Sequence, residues 1–189
     1  EKNFMGGDVH PSVYAYGHSR RCLLVASKMY RNQYEIRSNN LLIPNAFGPG
    51  DSWDPNRAHA INGMVIRLIK AKKNNDNNFV IWGTGKPIRE WAYVDDISRL
   101  LILSINHQES IIEPVNFGQG VGVSIYESAK TIAEIIEYKG GIKFDESIQD
   151  GTPKKIMDSK RFNATFPGFQ FMNHKKGLVK TIKYYWELI

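Results

Sequence analysis

The chain has 189 residues, 42% hydrophobic and 23% charged, which is enough to bury a core and too apolar for a disordered segment. Its net charge of +6 suits an anionic ligand, but the basic residues are dispersed rather than interleaved with aromatics on one face, which argues against a nucleic-acid partner. A single cysteine, Cys22, excludes an internal disulfide framework and fits a reducing cytoplasm, and no apolar run approaches the ~18 residues of a membrane span.

The N-terminal stretch, Glu1 to Gly7, has neither an initiator Met nor the apolar centre of a signal peptide, and reads as an internal portion of something longer. Tyr16 to Tyr34 is predicted helical, with Leu23, Leu24, Ala26, Met29 and Tyr30 near helical spacing, and Cys22 in that run is expected to be packed and inert. A short apolar strand, Asn39 to Ile43, ends at Pro44. After a turn-rich loop, Ala60 to Lys72 is a second amphipathic helix, burying Ile61, Met64, Val65, Leu68 and Ile69.

Asn78 to Trp82 is predicted as a strand closed by a Gly83–Gly85 turn, and Asp95-Asp96 as the cap of a helix over Ile97 to Asn106. Val115 to Phe117 is a buried strand. Ser124 and Glu127 have the capping-box spacing that opens a helix from Ile125 to Tyr138. Ile142 to Phe144 is a further strand and Lys175 to Leu188 a closing helix, with Tyr184-Tyr185-Trp186 in its core. Helices alternating with short apolar strands give an α/β layer architecture.

No strand is followed by Gly-x-Gly-x-x-Gly. Gly83-Thr84-Gly85 lacks the third glycine and Gly118 to Gly122 is mis-spaced, so both read as ordinary turns rather than a pyrophosphate-binding turn. The five histidines show no paired ligand spacing with Cys or acids, so no metal is expected.

Three constellations can carry chemistry. Tyr16 and Arg20 share a helix face, where a cation favours the phenolate; Tyr14 with His18 is a rival pair. His59 lies between the Gly48-Pro49 turn and the helix bearing Arg67, and an imidazole suits proton transfer near neutral pH. Arg67 and Arg89, from different elements, can grip a diphosphate as two forks, with the Trp82 face and Lys155 beside them. The plainer reading of the same residues is an Arg89–Glu90 surface ion pair, a core Trp82 and a solvated Lys154-Lys155 turn.

The segments Tyr16 to Arg20, Asn45 to Pro55 with His59 and Arg67, and Trp82 to Asp96 together resemble the C-terminal half of the extended short-chain dehydrogenases that act on nucleotide sugars, the NAD-dependent epimerase/dehydratase family, and within it the GDP-L-fucose synthase branch. The resemblance implies the C-terminal part of a Rossmann-type fold. Residues 1–50 would complete the NAD(P)-binding domain. Residues 51–189 would form a smaller mixed α/β substrate domain, interleaved with the last Rossmann elements near 95–118.

It also implies NADP, or NAD, as cofactor, a GDP-linked 4-keto-6-deoxy sugar as substrate, and a homodimer formed through the Tyr16 helix. Tyr16, Arg20 and His59 take catalytic roles, the last in 3,5-epimerisation. Tyr16, Arg20, Ile43, Pro44, Asn45, Ala46 and His59 face the cofactor, and Asn45, Arg67, Trp82, Arg89 and Lys155 bind substrate. Arg20 stands where the family has lysine and Tyr93 where it usually has histidine. The family's glycine-rich turn and epimerisation cysteine fall outside the chain. Other readings are a nucleotide-sugar 4-epimerase, a 4,6-dehydratase, and a non-catalytic nucleotide-sugar-binding module.

Overall fold

The computed structural model describes residue 1 and residues 3–54, 57–107 and 113–189; Pro55, the last residue of the turn-rich loop, lies outside them. After one 3₁₀ turn at Pro11–Val13, the elements run α1 (Tyr14–Tyr34), β1 (Leu41–Leu42), β2 (Asn45–Phe47), α2 (Ala60–Lys73), β3 (Asn78–Trp82), β4 (Ile88–Arg89), β5 (Trp91–Tyr93) and α3 (Val94–Ile105). There follow β6 (Val115–Asn116), β7 (Val123–Ser124), α4 (Ile125–Ile135), β8 (Gly141–Asp145), β9 (Lys154–Lys155), α5 (Lys160–Thr165) and α6 (His174–Leu188). No described helix is long and apolar enough to cross a membrane.

The strands pair across long sequence separations. β1 runs parallel to β6, β2 to β5, and β3 to β8 with Asn78 opposite Gly141. β4 is the centre of a three-stranded sheet, antiparallel to β7 and parallel to β9. This is the mixed α/β architecture that the alternating pattern implies.

Two hydrophobic clusters hold it together. The larger is built on α2, whose Ile61, Val65, Ile66, Leu68 and Ile69 are wholly buried against β3, α4 and α6. Each such side chain contributes about 1.5–3 kcal/mol of burial free energy. The smaller joins Leu100, Val115, Phe117, Phe162 and Phe166, with Phe169 and Phe171 packed on it in edge and tilted ring contacts. The short α5, which supplies Phe162, has no apolar periodicity long enough to be read from sequence.

Three expectations need correction. α1 buries only Leu24: Leu23, Met29 and Tyr30 are exposed, and so is Cys22, because no described element packs along most of that face. Asp95 and Asp96 lie inside the first turn of α3 and do not cap it. The buried Asp96 instead accepts from Arg99 Nη1 at 2.9 Å and from the Met172 amide at 2.6 Å, tying α3 to the segment before α6. α4 ends at Ile135, short of Tyr138, with Glu137 in the left-handed region at φ +54°. Its capping box is present, with the Ser124 hydroxyl and the Glu127 carboxylate each taking the other's amide.

His174 opens α6 against the Phe47 ring, and its buried Nε2 has no hydrogen-bond partner among the described residues. Burial lowers its pKa below the ordinary 6.5. The unfolded chain therefore binds the proton more readily, and stability should fall as pH drops below 6.5 towards the folded-state value. Asp51, whose folded pKa lies below 3.8, loses its contribution only in stronger acid, so the two effects separate. Urea unfolding of the chain and of His174→Leu at pH values either side of 6.5 checks this. The variant should lose the slope in the mildly acidic range.

Candidate active site

β2 leads into a turn at Gly48, where φ is +142° and a Cβ would lie 2.5 Å from Val94 Cγ1, so only glycine fits without displacing α3. The turn delivers Asp51, whose carboxylate gathers the loop. Its Oδ1 accepts the Ser52 amide at 2.8 Å. Its Oδ2 accepts the His59 amide at 2.8 Å and Asn62 Nδ2 at 2.9 Å, and lies 3.0 Å from His59 Nδ1. Burial alone would raise the Asp51 pKa, but the bonds from Asn62, His59 and Ser52 outweigh it and hold the carboxyl below its ordinary value.

His59 is the N-cap residue of α2 yet does not cap it with its own side chain, and its ring is three-quarters exposed, at 75%. From α6, the wholly buried Tyr185 donates its hydroxyl to the Asp51 carbonyl at 3.1 Å. Burial, then the charges of Asp51 and Tyr184, push its phenol up to about 12. Sequence reading passed over Asp51 and treated Tyr185 as core alone. The available signal was an acid eight residues before a histidine, inside a loop bounded by Gly48, Pro49 and Gly50.

Two turns along α2, Arg67 meets β3. Its guanidinium carbon lies 4.8 Å over the Phe79 ring and 4.7 Å over the Trp82 ring, and Nη2 donates to the Val80 carbonyl. Burial lowers the Arg67 pKa, yet the group stays cationic. The two residues line a pocket of about 340 Å³ with Ala58, Ala60, Met64 and Ile125; His59, between two of these residues, does not itself line it. Trp82 is half exposed, not core, and the guanidinium covers its ring from one side. The stack presents a fixed cation beside an apolar surface, a combination suited to a phosphate joined to a flat ring.

Arg89 and Lys155 are register partners on β4 and β9. They form a second cationic pair and do not line the Arg67–Trp82 pocket. Arg89 Nη1 bonds the Ile88 carbonyl at 2.9 Å. Glu90 is not its surface partner: the carboxylate is buried, accepting the Gln119 and Gly120 amides on Oε1 and the Met157 amide on Oε2 at 2.7 Å. The Glu90 carbonyl takes Asn45 Nδ2 at 3.0 Å, which fixes Asn45 on β2 next to Trp91.

Lys154 and Lys155 are reached through a loop held by Asp150, which accepts the Thr84 amide at 3.0 Å and the Thr84 hydroxyl at 2.5 Å. Gly83, at φ +76°, leaves room for that carboxylate, which any Cβ would strike.

Tyr16, Arg20 and Ile43 line a separate open groove of about 830 Å³ between α1 and β1. Tyr16 is exposed, and the Arg20 guanidinium carbon sits 4.8 Å over its ring, on the face rather than at the hydroxyl. The rival Tyr14 stacks on His18 with ring centroids 4.3 Å apart. Pro44, Asn45 and Ala46 continue from Ile43 without lining the groove. A phenol and a cation at the mouth of such a groove fit the nicotinamide-ribose end of a dinucleotide. The turn that would cradle its pyrophosphate is not among these 189 residues.

Residues 1–118 match the NAD dependent epimerase/dehydratase family. The chain is 32% identical over 188 residues to a probable GDP-L-fucose synthase of Oryza sativa subsp. japonica, covering 99% of this chain and 56% of the relative. It is 28% identical to the GDP-L-fucose synthase of Escherichia coli over 99% of its length and 60% of that protein. A crystal structure of a GDP-L-fucose synthetase from Naegleria fowleri bound to NADP superposes with a TM-score of 0.88 at 28% identity, covering 97% of this chain and 59% of that one. The chain thus spans a little over half the length of the curated relatives it matches. With more than half its residues inside the family match, the chain belongs to the NAD-dependent epimerase/dehydratase family.

Proposed function

We propose that this chain carries the substrate-binding part of a GDP-sugar epimerase/reductase of the GDP-L-fucose synthase kind, with NADP as its cofactor. The observation that carries the reading is the Arg67 guanidinium stacked at 4.7 Å on Trp82 in a pocket lined also by Ala58 and Ala60, the residues on either side of His59. Arg67 grips a phosphate of the nucleotide with the donors not given to Val80, and Trp82 packs the base. Arg89 and Lys155 close on the far side of the diphosphate once ligand draws the two strands' side chains inward.

A base on the opposite face takes the proton from the carbon beside the ketone. His59 then faces the resulting enolate and returns a proton to that carbon from its own side, a task to which an exposed imidazole is suited. NADPH, when bound, supplies the hydride for reduction at C4. Tyr16, on the separate groove between α1 and β1, gives the accompanying proton to the C4 oxygen, and Arg20 lies against the ribose side. The two hydrophobic clusters support two parts, with a boundary that departs from residue 50 at Phe47, which packs in the larger cluster, and from 95–118 at Phe162 and Phe166, which join Leu41 and Val115 in the smaller.

Thermal-shift titration of the chain with GDP, UDP, dTDP and ADP tests the substrate reading, because a ligand that binds only the folded state raises the melting temperature. GDP should give the largest rise. A preference for UDP or dTDP would move the reading to another nucleotide-sugar enzyme, and no rise with any of them would remove it.

A further inference from the structure

The proposed role of His59 requires one ring nitrogen to handle the proton, and nothing about an exposed imidazole decides which. The loop decides it. Asp51 Oδ2 lies 3.0 Å from His59 Nδ1 and takes the His59 amide at 2.8 Å, so the same oxygen holds both the backbone and the ring of one residue. The carboxylate cannot swing away, since Asn62 Nδ2 at 2.9 Å and the Ser52 amide at 2.8 Å fix it, and Tyr185 pins the Asp51 carbonyl from α6.

An ionised carboxylate only accepts, so Nδ1 facing it must donate. The depressed Asp51 pKa keeps that carboxylate ionised throughout the neutral range.

We propose that Asp51 is the positioning residue for His59: it holds the ring with its proton on Nδ1 and leaves Nε2 as the nitrogen that exchanges a proton with substrate. This deepens the reading of His59 as a proton-transfer group and rests on it. As an acid, the imidazolium gives up the Nε2 proton to the enolate carbon, which has lost its own proton to a base on the other face, and becomes the neutral Nδ1–H ring. As that ring is reprotonated from solvent on Nε2, the Nδ1 proton never leaves Asp51. A free imidazole in water prefers its single proton on Nε2, and that form would offer no lone pair at the exposed nitrogen.

The plainer role for Asp51 is that of a surrogate cap, accepting the amide of His59 at the head of α2. The two roles differ in what they do to the ring.

Long-range ¹H–¹⁵N correlation spectra of the 189-residue chain, recorded at about pH 8.5 where an imidazole is neutral, report the tautomer directly, with the His59 signals assigned by their loss in His59→Gln. The expected result is the Nδ1–H pattern in the native chain and a change to the Nε2–H pattern, or a mixture, in Asp51→Asn. A native His59 in the Nε2–H form overturns the proposal, and so does an Asp51→Asn chain that keeps the Nδ1–H form. Should Asp51→Asn fail to fold, the native spectrum alone decides.

In an active preparation, Asp51→Asn should lower proton exchange at the sugar carbons about 10- to 100-fold. That is less than the ~10⁴-fold loss from a wrong tautomer in a buried triad, because this ring can turn in solvent. If His59→Gln leaves that exchange unchanged, it is the role of His59 that fails. The tautomer result stands apart from that outcome.

Discussion

Replacing Arg67 by alanine is expected to weaken GDP binding about 30- to 100-fold, the equivalent of roughly 2–3 kcal/mol for charge-assisted hydrogen bonds to phosphate. Binding of GDP to the chain by isothermal titration calorimetry provides the measurement. The size of the effect follows from preorganisation: the guanidinium is already held between Phe79 and Trp82 and tethered to Val80, so little rotamer freedom remains to be lost when ligand arrives.

Arg67→Lys restores the charge but neither the fork nor the flat stacking surface, and should recover only part of the affinity. Because alanine also uncovers two aromatic rings, the melting temperature must be followed alongside. Loss of affinity with little change in melting is the expected pattern. Unchanged affinity in Arg67→Ala would mean that the pocket beside Trp82 is not where the diphosphate binds.

Glu90→Ala should produce the largest loss of stability of any single change considered. Its carboxylate serves three backbone amides, those of Gln119, Gly120 and Met157, and the residue is 1% exposed. Removing it leaves these donors without a partner in a tight space, with Gly118 already close enough that a Cβ there would meet Glu90 Oε1 at 2.6 Å. At about 1–3 kcal/mol for each unsatisfied donor, partly offset by water entering the gap, the cost is roughly 3–5 kcal/mol.

In a chain of this length that corresponds to a fall of about 10 °C or more in melting temperature. Differential scanning calorimetry would show it. Glu90→Gln keeps one acceptor oxygen and should lie between the two. A shift of only a degree or so in Glu90→Ala would show that the turn after β6 and the strand leaving β9 hold their places without it.

How much of this was legible in the sequence depended on how local each cause was. α2 declares itself because the spacing of Ile61, Val65, Leu68 and Ile69 is fixed by helix geometry alone, and the Ser124–Glu127 box is complete within four residues. β3 and its glycine turn follow from an apolar run and a required positive φ at Gly83 and Gly85.

Asp51, Glu90 and Asp96 were missed or misassigned because nothing in sequence marks an acid as an acceptor for the chain. Glu90 and Asp96 satisfy amides supplied by distant segments, and Asp51 gathers Ser52, His59 and Asn62 from nearby in the chain. A carboxylate beside an arginine, at a helix start or in a turn looks the same in sequence whether it faces water or bonds the chain. The pairing of Arg89 with Lys155 comes from a parallel register between strands far apart in the chain, which no spacing rule reveals. The apolar run of α1 was legible as a helix, but burial is a property of neighbours, and most of that face has none among the described residues.

The hydroxyl bond from Tyr185 to the Asp51 carbonyl spans 134 residues and makes the carboxy-terminal helix a brace for the histidine loop. Trimming the last turn, or crowding it with a bulky fusion partner after Ile189, would loosen a support on which the imidazole's aim depends. Proteins shortened there also lose the Tyr185 ring from the larger hydrophobic cluster, so a misaimed imidazole and a lower melting temperature should arrive together.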